Sequence, residues 1–310
     1  MQSIRFRDLG SLSPEAALPA FIEAFSDYPV PVRPSLEDFD AMQKRRGVSY
    51  AASLGAFEGE RLVGFIFNGT GSRGGVPCAY DAGTGVVPSH RGRGLSKALA
   101  AETETLLRGL GFQAWLLEVL VENARAAGVY EAAGFRRTRR LRCLSGPAFG
   151  AGRDEALAAA RAALMAAEAR GLAVVEPAGP LDESRAWRDW EPTWQNSDES
   201  LARTPERLVT LVAERRSGSA RETVGFLAST STGSVAQLVV RPDARRDGVG
   251  TALLAALAGK VLAAREEPDG PTAPFRYVNV QADDEASLRL LGAVGLTEAR
   301  DQWEMLRELR

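Results

Sequence analysis

The sequence predicts an α/β protein made of two similar halves, and three observations support this. Each half has a strand that ends in Gly-Phe and apolar residues, RLVGFIF at 61–67 and ETVGFLA at 222–228. Each then has a second strand that runs into an arginine-glycine turn and an amphipathic helix. Each closes with an apolar strand and a helix that ends near glycine, at 112–135 and 276–296. Because both the order of elements and the turn chemistry repeat, we interpret the chain as a tandem repeat.

Equivalent positions of the two halves lie at a nearly constant spacing. The spacing is 161 residues for Gly64 and Gly225, 161 for Gly134 and Gly295, and 154 for Arg91 and Arg245. The difference of seven residues falls in two loops, one before the first turn and one after the second helix, where length changes are tolerated. We therefore predict an N-terminal domain at 1–146, a connecting helix or linker at 147–170 and a C-terminal domain at 171–310.

The composition excludes several classes of protein. The chain has 310 residues, of which 45% are hydrophobic and 25% charged, and its formal net charge is −2, which is typical of a globular protein and not of a general nucleic-acid binder. The two cysteines, Cys78 and Cys143, predict neither a disulfide framework nor a metal cluster. With no signal-peptide pattern and no apolar run near the ~20 residues that span a bilayer, we predict a cytoplasmic protein without membrane contact. Basic residues that are mostly arginine indicate a bacterial origin.

The two arginine-glycine turns carry the strongest chemical signal. The turns at 91–96 and 245–250 share the form Arg-x-x-Gly-x-small, and each lies between a strand and a predicted helix. Glycine lets the backbone approach a ligand closely, and the unpaired N–H groups at a helix N-terminus attract anions. The turns therefore predict phosphate binding, with charge-assisted bonds expected from the arginines. A dinucleotide fingerprint and a Gly-Lys-Ser/Thr phosphate loop are both absent from the sequence.

With these turns the sequence resembles the GNAT superfamily of N-acetyltransferases, in a tandem two-domain form. Val86 to Ser96 (VVPSHRGRGLS) and Val240 to Gly250 (VRPDARRDGVG) are similar to the family's V-x-P-x-x-[QR]-x-x-G-x-[GA] signature, with Ser96 as a mild departure. The resemblance covers most of both halves. It implies two domains, each a mixed, mostly antiparallel sheet with helices on both faces, and it implies acetyl-CoA as the cofactor.

The resemblance also implies which residues bind acetyl-CoA. The strand before each turn would line the pantetheine arm, with Thr84, Gly85 and Val86 in the first half and Leu238, Val239 and Val240 in the second. The turns would hold the pyrophosphate, with Arg91, Gly92, Arg93, Gly94, Leu95 and Ser96 in the first half and Arg245, Arg246, Asp247, Gly248, Val249 and Gly250 in the second.

The later family segment N-x(2)-A-x(3)-LY-x(3)-GF separates the halves. In the first half Asn123 falls on the family's asparagine and counts as a cofactor-binding residue, and Tyr130 falls on its general acid. A phenol can protonate a departing thiolate. In the second half Asp284 replaces the asparagine and Leu291 replaces the tyrosine, and leucine cannot donate a proton. The resemblance thus implies that the first half is the catalytic one.

Other residues have more than one interpretation. Trp187, Trp190 and Trp194 are either an aromatic wall for the acceptor or packing residues. An acidic group on a predicted helix would either attract a cationic amine or form a solvated face; it consists of Glu37, Asp38 and Asp40. Asp81 is a candidate general base, whereas His90, the single histidine, is expected to be a solvent-exposed loop residue.

The predicted function is acetyl-CoA-dependent N-acetylation of a primary amine on a small molecule or peptide. Two alternatives stay open. One is a CoA-binding protein in which one or both halves are catalytically degenerate. The other is an enzyme similar to mycothiol synthase with an active second half, against which Leu291 argues. The sequence predicts no metal site and leaves open whether the protein is a monomer or a homodimer.

Overall fold

The computed structural model describes residues 3–27, 32–177, 182–264 and 274–309. In these ranges the strands are β1 (Ile4–Asp8), β2 (Val48–Glu58), β3 (Arg61–Arg73), β4 (Val76–Val86), β5 (Ala114–Leu120), β6 (Arg136–Gly146), β7 (Leu172–Val175), β8 (Val209–Ser217), β9 (Ala220–Ser229), β10 (Ser234–Val240), β11 (Phe275–Gln281) and β12 (Thr297–Glu308). The α-helices are α1 (Pro14–Ala24), α2 (Leu36–Arg46), α3 (Leu95–Gly109), α4 (Ala124–Ala132), α5 (Arg153–Glu168), α6 (Asp198–Arg203), α7 (Val249–Ala263) and α8 (Glu285–Ala293). Short 3-10 helices lie at Pro88–His90, Asp182–Trp187, Trp194–Asn196 and Pro242–Ala244.

The chain divides into two compact units that are not simple sequence halves. The first unit contains Met1–Arg139, Asp198–Pro205 and Trp303–Arg310, and the second contains Arg140–Ser197 and Glu206–Gln302. The predicted domain boundaries at 146 and 171 differ from this division. The chain passes from one unit to the other within β6, at both ends of the segment 198–205, and within β12.

The sheet of the first unit is mixed and mostly antiparallel. β1 pairs with β2, β2 with β3 and β3 with β4 in antiparallel fashion, whereas β4 and β5 are parallel. The next strand in order is β12, and the Leu309 amide donates to the Gln113 carbonyl at 2.8 Å. The C-terminal end of the chain therefore completes the sheet of the first unit.

The sheet of the second unit also has four antiparallel strands and one parallel pair, and its last strand is β6. β7, β8, β9 and β10 pair in antiparallel fashion, and β10 and β11 are parallel. β11 then pairs with β6, with Tyr277 opposite Leu144. β6, which follows Gly134 and Phe135, thus joins the second sheet, and β12, the last strand of the chain, joins the first. Sequence patterns predict such strands but not which sheet edge they join, because any open edge offers the same backbone groups.

Helices cover both faces of the first sheet. On one face, α3 buries Leu95, Leu99 and Leu107, which recur at helical spacing and pack into one core with Trp115. On the other face, aromatic rings from α1 and α2 meet the rings of β3, and the Phe65 and Phe67 centroids lie 4.6 Å apart. The predicted α/β fold with helices on both faces is confirmed for this unit.

The second unit is built around α7, which is rich in alanine and leucine and is buried along most of its length. Helix α5, predicted as a connecting helix, belongs to this unit, and its alanines Ala160 and Ala167 join the same core as α7. Small side chains on both helices allow their axes to approach closely. In the described part of the chain, no helix combines the length and the apolar character needed to cross a membrane.

We predict that Glu304→Gln destabilises the first unit by about 3–5 kcal/mol, because removing one partner of a buried ion pair leaves the other charge uncompensated. The Glu304 side chain is 3% exposed, and it pairs with Arg139 at 2.8 Å and with Arg73 at 3.2 Å. The measurement is the free energy of unfolding in denaturant. The matched control is Glu308→Gln, four residues along the same strand, whose ion pair with Arg136 is solvent-exposed and should contribute less than about 1 kcal/mol. Equal effects of the two variants would contradict the assignment of β12 to the first unit.

Candidate functional site

The two predicted phosphate turns have the backbone that an anion site requires. Gly92 and Gly94 have φ of +75° and +76°, and in the second unit Arg246 and Gly248 have φ of +68° and +86°. Helices α3 and α7 begin directly after Gly94 and Gly248, and neither glycine supplies a side-chain cap. The first N–H groups of both helices therefore have no side-chain cap, and they lie at the positive end of the helix dipole, where an anion can bind.

The space above the first turn is open. A Cβ atom added to Gly92 or Gly94 would meet no atom of the described residues within 4 Å. Leu95 and Val249 are buried in the cores of their units, so only their backbone groups can serve a ligand. Among the described residues, the side chains of Arg93 and Arg246 make no hydrogen bond or ion pair and lie exposed beside the turns.

Arg91 and Arg245, which open the turns, have side chains that fold back onto their own units. The Arg91 Nε donates to the Val86 carbonyl at 3.0 Å, and its terminal nitrogens contact the Ala24 carbonyl and the Asp27 carboxylate. Arg245 repeats each bond, with the Val240 carbonyl at 3.2 Å, the Trp187 carbonyl at 2.9 Å and the Asp189 carboxylate at 3.1 Å. Both side chains thus fix the end of the strand against the preceding segment.

The expected charge-assisted contacts from the Arg91 and Arg245 guanidiniums to phosphate therefore have no support in this geometry. The carbonyl and carboxylate groups of the same unit already occupy these guanidiniums. Sequence alone could not separate these arginines from Arg93 and Arg246, because all four lie within the same six-residue turns.

The strands before the turns separate from their parallel neighbours. β4 pairs with β5 only over Cys78–Tyr80, and β10 pairs with β11 only at Ser234 and Val235, within the described residues. Each strand then continues toward the turn while paired only with the strand on its other side, and in the second unit the Tyr277 side chain contacts the Leu238 backbone. One edge of Thr84–Val86 and of Leu238–Val240 therefore keeps backbone groups that an extended ligand can bind.

In the first unit, two ionisable side chains lie together where β4 separates from β5. Asp81 on β4 is 8% exposed, and its carboxylate accepts hydrogen bonds from the Thr84 hydroxyl at 2.6 Å and the Gly83 amide at 3.0 Å. The hydroxyl of Tyr130, on α4, donates to the same carboxylate over 3.4 Å. The Tyr130 ring packs edge-on against Phe135 with centroids 5.6 Å apart. The structure thus brings together the predicted general acid and the candidate general base.

Burial changes the acidity of Asp81. Desolvation raises the pKa of this carboxyl from 3.8 to about 6, although the hydrogen bonds from Thr84, Gly83 and Tyr130 and the charge of Arg46 act in the opposite direction. A carboxyl with a pKa near neutrality can both accept and release a proton at physiological pH.

A second acidic pair, Glu118 and Tyr80, was not singled out in the sequence. The Tyr80 hydroxyl donates to Glu118 at 3.1 Å, and burial followed by the Glu118 charge raises the pKa of Tyr80 well above its usual value. Arg46 donates to the Ala82 carbonyl at 2.6 Å beside them. The 161-residue spacing of the repeat is the sequence signal for this pair. It makes Asn279, an amide, the equivalent of the acid Glu118 in the second half.

The expectation of a solvent-exposed His90 is wrong. His90 is 6% exposed, its Nδ1 bonds with the Ser89 hydroxyl at 2.9 Å, and its Nε2 lies 3.5 Å from the Glu58 carboxylate. The 3-10 turn at Pro88–His90 directs the ring inward, where it supports the base of the turn.

Asn123 and Asp284 both act as helix caps. The Asn123 side-chain oxygen accepts from the Ala126 amide at 3.1 Å, and the Asp284 oxygen accepts from the Ser287 amide at 3.0 Å. This shared structural role explains why the position tolerates either residue. The binding role of Asn123 toward a cofactor stays a prediction.

The acidic group on α2 is engaged in local contacts. Asp38 accepts a hydrogen bond from the Ser35 hydroxyl at 2.7 Å, and Asp40 forms an ion pair with Lys44 at 2.6 Å. Glu37 lies in the first turn of the helix, where a negative charge complements the helix dipole. These contacts favour the solvated-face interpretation.

A cavity of about 520 Å³ surrounds the turn in the second unit. Its walls include Leu238, Val239 and Val240, the turn itself, and Trp187 and Trp190. The Trp190 indole donates to Asp284 at 3.0 Å, whereas Trp194 is 4% exposed. The tryptophans therefore divide between the two interpretations, because two line the cavity and the third is a packing residue.

The second unit lacks the acid and base of the first. Val235 takes the place of Asp81, since each pairs with the residue four positions after the Gly-Phe glycine, Ser229 in one case and Asn68 in the other. Leu291, in the place of Tyr130, is fully buried in the core. Neither side chain can transfer a proton.

Comparison with known proteins agrees with this geometry. Residues 15–135 match the model of the acetyltransferase (GNAT) family. No curated protein sequence matches the chain. Many solved structures match, and three examples share the fold over nearly the whole chain.

A GCN5-related N-acetyltransferase from Sphaerobacter thermophilus is 16% identical with a TM-score of 0.68, covering 100% of this chain and 98% of that one. A tandem GNAT protein from the clavulanic acid biosynthesis pathway is 17% identical with a TM-score of 0.68, covering 99% of each chain. A GCN5-related N-acetyltransferase from Kribbella flavida is 18% identical with a TM-score of 0.58, covering 99% of this chain and 72% of that one. Residues 15–135 are thus similar to the GNAT acetyltransferase family, and the whole chain shares the fold of these structures, one of which is a tandem GNAT protein.

Proposed function

We propose that the first unit transfers the acetyl group of acetyl-CoA to a primary amine on a small molecule or peptide. The observation that carries this proposal is the Asp81–Tyr130 pair, which lies where β4 separates from β5, on the strand that leads to the open glycine turn. The turn suits a diphosphate, the unpaired strand edge suits an extended amide-bearing arm, and the pair suits proton transfer between an amine and a thiolate.

Acetyl-CoA supplies an activated thioester, and the residues of the first unit manage the protons. The amine nitrogen must be neutral to attack the thioester carbonyl, and it loses a proton as the amide forms. Asp81 accepts that proton directly or through a water molecule. Tyr130 donates its proton to the sulfur as the carbon–sulfur bond breaks. Asp81 then returns a proton to Tyr130 across their 3.4 Å contact, so that amide and thiol are released and both side chains are restored.

We propose that the second unit binds CoA without turnover. Its cavity keeps the glycine turn and the parted strand, while Val235 and Leu291 replace the two proton-transfer groups. An active second half remains the competing assignment, and the first variant below separates the two.

We expect Tyr130→Phe to lower turnover by about 10²-fold or more while CoA affinity is nearly kept, since general-acid catalysis is typically worth 10²–10⁴. The phenylalanine ring preserves the packing against Phe135. The measurement is release of free thiol with a panel of amines. As a control, Leu291→Ala should leave turnover unchanged and lower stability by about 2–5 kcal/mol, because Leu291 is buried. Full activity in Tyr130→Phe, with activity lost when the 245–250 turn is disabled, would assign catalysis to the second unit.

We expect kcat/KM to rise with pH through about 6, because Asp81 accepts a proton only as a carboxylate and its pKa is raised to about 6. Asp81→Asn should lower the rate and remove this limb of the profile. The raised pKa means that folding favours protonated Asp81, so its stability contribution is largest at low pH and is lost as pH rises through 6.

The stability of Asp81→Asn relative to the parent should therefore increase by up to about 3 kcal/mol between pH 3 and pH 8. Denaturant unfolding at the two pH values measures this difference. The asparagine Oδ1 can still accept from the Gly83 amide, and its Nδ2 can donate to the Thr84 hydroxyl, so the local structure is kept. A pH-independent stability difference, together with an unchanged rate profile, would exclude a titrating Asp81 from the mechanism.

We expect Gly94→Glu and Gly248→Glu each to abolish CoA binding in its own unit and to leave the other unit unchanged. Both positions need a left-handed backbone, and a carboxylate there would repel phosphate. Isothermal titration gives the number of sites for each variant. The controls Gly109→Glu and Gly259→Glu add the same charge to α3 and α7 at positions where a Cβ meets no described atom. Unchanged stoichiometry and affinity in Gly94→Glu would rule out the first turn as a CoA site.

A further inference from the structure

A small cavity beside the turn of the second unit is lined mainly by arginine. It has a volume of about 350 Å³, and its five lining residues are Arg170, Leu172, Arg215, Arg246 and Asp247. We call Arg170, Arg215 and Arg246 the arginine flank. They come from the end of α5, from β8 and from the turn itself, so three separate segments converge on one space.

The charge in this cavity is only partly neutralised. Arg215 pairs with Asp243 at 2.9 Å and with Asp247 at 3.5 Å. Arg170 donates to the Asp247 carbonyl at 3.3 Å and has no carboxylate partner among the described residues. Arg246 has neither a hydrogen bond nor an ion pair within that part of the chain. Two guanidinium groups therefore remain available to a ligand with negative charge.

The small cavity adjoins the larger one. Arg170 and Arg246 line both cavities, and a terminal nitrogen of Arg170 lies 3.0 Å from where a Cβ of Gly248 would be. A ligand whose diphosphate lies on the turn would therefore bring neighbouring groups within reach of the arginine flank. Planar guanidiniums suit phosphate oxygens, which they can bind bidentately.

The first unit has no equivalent arrangement at its turn. Gly92 occupies the position of Arg246, and a Cβ at Gly94 would meet no described atom within 4 Å, whereas Gly248 lies under Arg170. The flank thus distinguishes the turn of the second unit from that of the first.

We propose that the arginine flank binds a monophosphate that is separate from the diphosphate on the turn. The ligand class is a nucleotide diphosphate with an additional ribose phosphate, which CoA carries and dephospho-CoA lacks. This proposal rests on the proposed function only in placing CoA on the second turn. It makes Arg170 and Arg246 specificity-determining residues of the non-reacting site.

The test is titration of the full chain carrying Gly94→Glu, so that binding reports the second unit. CoA should bind at least about 10-fold more tightly than dephospho-CoA, as expected for charge-assisted bonds. Arg170→Gln should remove the preference for CoA, so that CoA and dephospho-CoA bind with nearly equal affinity. Arg246→Gly, which copies the first unit and accepts the left-handed backbone without strain, should do the same. The control Arg161→Gln, an exposed position on α5 outside both cavities, should keep the difference.

Equal affinity of the Gly94→Glu chain for CoA and dephospho-CoA would overturn the proposal. A CoA preference that survives both Arg170→Gln and Arg246→Gly, or no binding of either ligand in the second unit, would also overturn it. Acetyl transfer by the unsubstituted protein is measured separately by thiol release. If the unsubstituted protein shows no acetyl transfer while the Gly94→Glu chain still prefers CoA, the proposed reaction is refuted and the arginine flank is supported.

Discussion

Each unit depends on one break in backbone pairing, where β4 leaves β5 and β10 leaves β11 after two or three residue pairs. A buried strand edge without partners is costly, because each unpaired N–H or C=O loses its hydrogen bond to water. The fold keeps the break open by fixing the far end of the strand. Arg91 and Arg245 bond the last strand carbonyl and the preceding segment at once, so strand, turn and helix start hold one geometry.

This construction separates the binding chemistry from the reaction chemistry. In the proposed sites the turn would bind phosphate through backbone N–H groups, so the two units can keep it while sharing few side chains there. Proton transfer instead needs particular side chains, and a single substitution removes it. The second unit retains the turn and has lost both Asp81 and Tyr130 equivalents, which supports binding as its remaining role. Arg246 in place of Gly92 adds charge where the first unit has only space.

The repeat, the two glycine turns and the position of Tyr130, the proposed general acid, could be predicted from the sequence because local patterns specify them. Glycine at a fixed distance from a strand and before an apolar helix has few interpretations. The exchange of β6 and β12 between the sheets could not be predicted, since register and partner depend on which edge is open. The side-chain orientations of Arg91 and His90 depend on contacts with Asp27 and Glu58, respectively, which are distant in sequence. The Asp81–Tyr130 contact likewise required the fold, although both residues were candidates.

Burial of Asp81 sets a balance between stability and reactivity in the first unit. Desolvation raises the pKa of this carboxyl to about 6, so the folded state at neutral pH carries a buried charge that disfavours folding. Hydrogen bonds from Gly83 and Thr84 offset part of that cost, and the β-bulge between Phe67 and Asn68 in the β3–β4 register places Asp81 opposite Asn68. The second unit keeps an irregularity at the equivalent place but fills it with Val235. A valine there removes the buried charge, and Leu291 adds apolar packing. Both residues favour the stability of the core, as expected if the second unit binds without turnover as proposed.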